Sequence, residues 1–322
     1  MFSRTTTQIA FLLVVVVHLG GCSGEPEKGR FVVAEATPVP RSTIVVPAPS
    51  PAPSTSALET IMKQADTNSV PPESAKLYLQ MSEEEQYEFI EQRARHVSRM
   101  IGSGTYEFSR PSISYIKQYV DAYAHRVSNG SKVTWGEDLN NVFGRAQRYA
   151  PVIIRAFNGR RIPPAIGLYL VAVETEYTNF AQENEAGAAG LFQFIPSTAE
   201  AYGVPANQRT NVDRMSQAAA HYVADRIGEF GTDPMSVALC IAGYNRSPDS
   251  VRSDLQSVMN SSNKERSFWT LVTNSNKLDK WFQGENIKYV PKYFAAAVIG
   301  ETPWAFGLKM KQPLSTCTGP SD

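Results

Sequence analysis

Between Gly167 and Val173 the chain runs seven residues without a charge, Gly-Leu-Tyr-Leu-Val-Ala-Val, and then places a carboxylate, Glu174. A helix that keeps no polar stripe for water is predicted to be buried nearly all round. Pro163-Pro164 just upstream suits its first turn. A carboxylate at the exit of such a helix is partly desolvated and close to the negative end of the helix dipole, and both effects favour the neutral acid. A general acid working near neutral pH needs that environment. Taken alone, the feature decides little, because a Glu at a helix end is more often a solvated surface residue. Glu176 fits nearly as well, and helical geometry sets the two about 200° apart around the axis, so they are not a facing pair.

The surrounding patterns are helical too. Ser82 to Glu85 reads as a capping box leading into Tyr87, Phe89 and Ile90. A second helix is expected from about Ser112 to before Asn129-Gly130, and a third from roughly Glu137 to Phe157, stopped by Asn158-Gly159. Asp213 and Asp233-Pro234 read as N-caps of two more, the first ending near Gly231. No period-2 strand stands out, so the expected fold is mostly α. An apolar content of 42% and a charged content of 19% describe a foldable chain, and a formal net charge of zero gives no handle on nucleic acid. The four His, at 18, 96, 125 and 221, form no metal-ligand spacing with Cys or Asp. No Gly-rich phosphate loop with Lys is present.

The N-terminus reads as a targeting segment: Arg4, then an apolar run from Ile9 to Val17 too short to span a bilayer. Leu19-Gly20-Gly21-Cys22 follows and resembles the bacterial lipobox, in which the Cys is acylated; the bland alternative is an ordinary secretory signal. Acyl chains on Cys22 imply a membrane anchor without a transmembrane helix. From Ser23 to about Ser56 the chain is rich in Pro, Ser, Thr and Ala and is expected to be an extended linker. At ~3.1 Å per residue it reaches up to about 100 Å. The expected organisation is a signal peptide (1–22), a linker (23–57), a helical N-terminal extension (58–150), a catalytic domain (151–310) and a tail (311–322). Of the remaining cysteines, Cys240 and Cys317 either pair in an oxidising compartment or stay free, Cys240 as a small buried hydrophobe and Cys317 in a loose tail.

Downstream of Glu174-Thr175 comes Gly187-Ala188-Ala189-Gly190-Leu191-Phe192-Gln193-Phe194-Ile195-Pro196-Ser197-Thr198-Ala199, then Ala242-Gly243-Tyr244-Asn245, Phe268-Trp269, and Glu285-Asn286-Ile287-Lys288-Tyr289-Val290-Pro291-Lys292. In order and spacing these resemble the soluble-lytic-transglycosylase (SLT) family, whose catalytic Glu-Ser pair becomes Glu174-Thr175 here. The closing segment is similar to that of membrane-bound lytic transglycosylase D-like lipoproteins. The resemblance implies a lysozyme-like, goose-type catalytic domain. It favours Glu174 over Glu176 as the acid, and it implies substrate-binding or positioning roles for Thr175, Gln193, Tyr244, Asn245 and Tyr289. Gln193 offers a donor and an acceptor to an N-acetyl sugar. Tyr244 and Tyr289 lie near the carboxyl in the family, and Asn245 binds glycan or braces the loop. Gly187 and Gly190 are expected to let backbone approach a sugar closely.

The implied reaction is cleavage of the bond between N-acetylmuramic acid and N-acetylglucosamine in peptidoglycan, giving 1,6-anhydro ends, with Glu174 as acid and then base. No metal or organic cofactor is expected. The implied partners are glycan strands and, through Cys22, the periplasmic side of the outer membrane; no protein partner is implied. Two rivals stand: a lysozyme-type muramidase on the same fold, and a non-catalytic peptidoglycan-binding lipoprotein. The sequence departs from the family at Gly243, where Ala is usual, and at Ser247, where Gly is usual, with Pro248 following; the turn after Asn245 is therefore expected to differ.

Overall fold

The opening Ser82 caps its helix as its spacing predicts: its hydroxyl accepts from the Glu85 N–H at 3.3 Å, and the Glu85 carboxylate accepts from the Ser82 N–H at 2.7 Å. The structure, a computed structural model, describes residues 76–128, 136–259 and 265–318. Cys22, the signal segment and the Pro-rich linker lie outside the described residues.

Helix α1 (Glu83–Ile101) buries Phe89, Ile90, Ala94, Val97 and Ile101 on one face, and α2 (Arg110–Ala124) does the same with Ile113, Ile116, Val120 and Ala124. Helix α2 starts earlier than expected because Ser109, not a later residue, caps it, its hydroxyl accepting from the Ser112 N–H. Helix α3 (Leu139–Gly159) is capped by Asp138. Helix α4 (Pro164–Thr175) is buried from Ala165 to Ala172, as its uncharged sequence predicts. A short α5 (Pro196–Ala201) and α6 (Val212–Phe230) follow. The cap of α6 is Asn211 and not Asp213; Asn211 Oδ1 accepts from the Arg214 N–H at 3.0 Å. Asp213 falls inside the first turn, where its charge still complements the dipole. Helix α7 (Pro234–Asn245) carries the predicted Asp233 cap, and α8 (Pro248–Met259), α9 (Phe268–Thr273) and α10 (Ile287–Glu301) complete the helices. A π turn, Phe282–Asn286, runs directly into α10. Among the described residues there is no strand, only an isolated antiparallel bridge between Ala189 and Phe194.

Three helices form the interior. Helices α4 and α7 are apolar on all sides, and α10 is buried along most of Tyr289–Glu301. Helix α10 packs on α1, α2, α4 and α7; α3 packs on α4 and α6. One hydrophobic cluster therefore runs from Tyr78 to Leu314, across residue 150. A carboxyl sits inside it, raised above the usual range by its burial. Glu301 accepts hydrogen bonds from the Tyr169 hydroxyl, from the Ser315 N–H at 3.2 Å and from the Ser315 hydroxyl at 2.6 Å. Those bonds dock the turn Leu314–Thr316, so the segment before Cys317 is held and not loose. Cys240 and Cys317 are both free thiols, and burial pushes Cys240 up to about 12.

Candidate active site

At its end α4 reverses sharply: Glu176 and Tyr177 both take left-handed backbone, with φ of 46° and 60°. The strain is supported on each side. The Tyr177 hydroxyl, fully buried, donates to the Leu168 carbonyl at 2.9 Å. Arg126, from beyond the end of α2, donates to both oxygens of Glu176 at 2.5 and 2.7 Å, and Arg145 donates to the Glu176 carbonyl at 3.0 Å. Glu176 is thus the counter-ion of a buried arginine.

Glu174, still on the helix, is half-buried and forms no ion pair among the described residues. Its Oε1 accepts from the Tyr289 hydroxyl. Desolvation pushes its carboxyl up to about 7, against the pull of that hydrogen bond. Tyr289 is raised well above the usual phenol range by burial and then by the Glu174 charge, so it remains a donor. Burial and the same charge raise Tyr244.

The other residues singled out in the sequence gather around the loop 178–195, but through bonds within the protein. The Thr175 hydroxyl is buried and reaches the Val171 and Leu191 carbonyls, both at 3.2 Å, so it ties helix to loop. Tyr244 donates to the Phe192 carbonyl at 2.6 Å and not to Glu174; of the two phenols, only Tyr289 touches the carboxyl. Gln193, with φ of 51°, donates to the Gly190 carbonyl at 2.7 Å and accepts from Asn184 at 3.2 Å. The Asn245 side-chain Oδ1 accepts from the Asn286 side-chain amide at 3.0 Å, which is the bracing role.

The expected sugar-facing glycines have a different reason. A Cβ on Gly190 would lie 2.0 Å from the Arg209 carbonyl, so this glycine makes room for the protein's own backbone. A Cβ on Gly187 would meet nothing closer than Pro196 Cδ at 3.9 Å, so what this position asks for is its φ of +78°. Arg209 was not singled out by the sequence, since a lone Arg between Gln208 and Thr210 carries no motif. It donates to the Gly187 carbonyl at 2.5 Å, the Phe194 carbonyl at 3.0 Å and the Ala206 carbonyl at 2.7 Å, and it pairs with Glu183. This one side chain ties the middle of the loop, at Glu183 and Gly187, to its far end at Phe194.

The departures on either side of Asn245 have local reasons. A Cβ at Gly243 would sit 3.3 Å from Pro248 Cα, so the smaller residue accommodates the proline. Ser247 accepts from the Ser250 N–H at 3.1 Å and caps α8.

Residues 151–267 match the family model of the transglycosylase SLT domain. This segment is an SLT domain. No curated protein matches the chain. The SLT segment contains Glu174, the loop and the Tyr244-Asn245 turn; Tyr289, which holds Glu174, is supplied from beyond it by α10. An SLT domain is of the transglycosylase type and acts on peptidoglycan, and its expected helical, lysozyme-like fold is the fold observed.

Proposed function

We propose that the protein is a lytic transglycosylase that cuts between N-acetylmuramic acid and N-acetylglucosamine with Glu174 as its single carboxyl. The observation that carries this reading is the state of Glu174: a carboxyl held up to about 7, hydrogen-bonded by Tyr289 and free of any cation. Neighbouring Glu176 and Glu183 are engaged by Arg126 and Arg209. Ordinary retaining and inverting glycosidases need two working carboxylates; of Glu174, Glu176 and Glu183, only Glu174 is not paired with a cation.

Protonated Glu174 gives its proton to the glycosidic oxygen as the bond to the muramyl C1 breaks. The resulting carboxylate accepts the proton of the muramyl O6 as that oxygen bonds to C1. Glu174 is regenerated protonated, and the product carries a 1,6-anhydro ring. A tethered hydroxyl loses little entropy on attack, which favours it over water. Thr175, Gln193, Tyr244 and Asn245 act mainly by shaping the loop and turn around the acid. An acylated Cys22 and the Pro-rich linker would hold the enzyme on the periplasmic face of the outer membrane.

Digestion of purified sacculi followed by mass analysis tests the reaction. Muropeptides one water lighter than muramidase products are expected. Reducing-end products alone would make the protein a muramidase, and no release by folded protein would favour a binding lipoprotein.

A further inference from the structure

Trp281 is 44% exposed, while Trp269 is buried at 5%. It is nevertheless held in place. The Arg246 guanidinium lies 5.5 Å from its ring centroid. That guanidinium is fixed in turn by Asp279, at 2.9 and 2.5 Å, and by Asp254 at 3.1 Å. One face of the indole is therefore backed by a rigid cation–π contact, and its exposure lies elsewhere on the ring.

Its attachments lead to the acid from two directions. Arg246 directly follows Tyr244 and Asn245, and Asn245 accepts from Asn286 at the end of the π turn that begins just after Trp281. Along the helix, the π turn absorbs one extra residue, so the eight steps from Trp281 to Tyr289 turn like the seven of a heptad, within about 20° of two full turns. Trp281 thus sits on the face of Tyr289, the phenol that touches Glu174, about 10 Å further along at 1.5 Å per residue.

Resting on the reading of Glu174 as the cleaving acid, we propose that Trp281 is a stacking platform for an N-acetylhexosamine ring of the same glycan strand, beyond the bond being cut. A pyranose presents C–H groups on its flat face, which suit an indole, and the indole N–H can bond a hydroxyl or an acetamido oxygen. The cation against the ring, Arg246, is consumed by Asp254 and Asp279 and is not left to pair with a carboxylate of a stem peptide.

The test uses the full chain carrying Glu174→Gln, titrated with the tetramer of N-acetylglucosamine by calorimetry. Adding Trp281→Ala should weaken binding about tenfold, and Trp281→Phe should recover most of it. Leu79→Ala, at a side chain that is 50% exposed, is the control for losing any exposed apolar group. With Glu174 intact, Trp281→Ala should raise KM on glycan strands and leave kcat within about twofold. No tetramer binding at all, or equal binding by folded Trp281→Ala protein, overturns the platform. If Trp281→Ala abolishes tetramer binding but the intact chain releases nothing from sacculi, the platform stands and the acid assignment falls.

Discussion

Glu174 and Glu176 stand two residues apart at the end of α4, and only Glu176 is gripped by a cation, Arg126. Their side chains leave the helix on different sides, one toward Tyr289 on α10 and one toward the segment after α2. The same turn therefore carries a carboxyl pushed up by burial and a carboxylate paired with a buried arginine.

Glu174→Gln is expected to lower cleavage of sacculi by ~10²–10⁴ with the fold intact by circular dichroism. Glu176→Gln should act on stability instead. It leaves Arg126, whose side chain is 4% exposed, short of a counter-charge, and should cost about 1–3 kcal/mol in chemical denaturation. Loss of cleavage greater for Glu176→Gln than for Glu174→Gln, at equal folded fraction, would show the roles to be reversed.

Cleavage should fall as pH rises through about 7, since the reaction starts from protonated Glu174. Tyr289→Phe removes the bond that lowers this carboxyl, so the alkaline limb should move up by about one unit while kcat drops about tenfold. A pH–rate profile of the two proteins checks both.

Stability should carry the same signature. Glu174 titrates near 4.5 when unfolded and near 7 when folded, so the native state binds the proton more tightly and loses stability as pH rises between those values. Against Glu174→Gln, the wild type should be less stable by about 1–3 kcal/mol at pH 8, allowing for partial exposure, and the gap should close below pH 4.5. Parallel urea titrations at the two pH values measure it.

Gly187→Ala and Gly190→Ala should separate conformational from steric cost. The first meets only its left-handed backbone, about 1–2 kcal/mol. The second adds a clash with the Arg209 carbonyl and should cost about 3 kcal/mol or more, or reshape the loop. Thermal melts of the two variants give the comparison.

Cys22→Ser should move the protein from the membrane to the soluble periplasmic fraction. Unchanged membrane association would remove the lipid-anchor proposal.

The buried helix was legible because a run without charge has one physical reading, but that run did not separate Glu174 from Glu176, which only the family resemblance did; Asp233 and Ser82 were legible because capping is local. Asp213 was misread as a cap because Asn211, two residues earlier, serves equally well by type. What Gln193, Thr175 and Tyr244 bond to was not legible: each has a partner backbone carbonyl whose position depends on the folded loop. Arg126 and Arg209 were invisible for the same reason. Their partners lie 50 and 26 residues away in sequence, and no spacing rule connects them.

Because Tyr289 reaches Glu174 from α10, the stretch 151–267 is not a unit that a molecular biologist could excise. Cut there, the polypeptide would keep its acid but lose the phenol, Arg126 and the helices that cover α4. The exposed apolar flank of α4 would then drive it into aggregates. A useful truncation for crystallisation or engineering has to begin before Tyr78 and continue past Ser315, where the last hydrogen bonds to Glu301 are made.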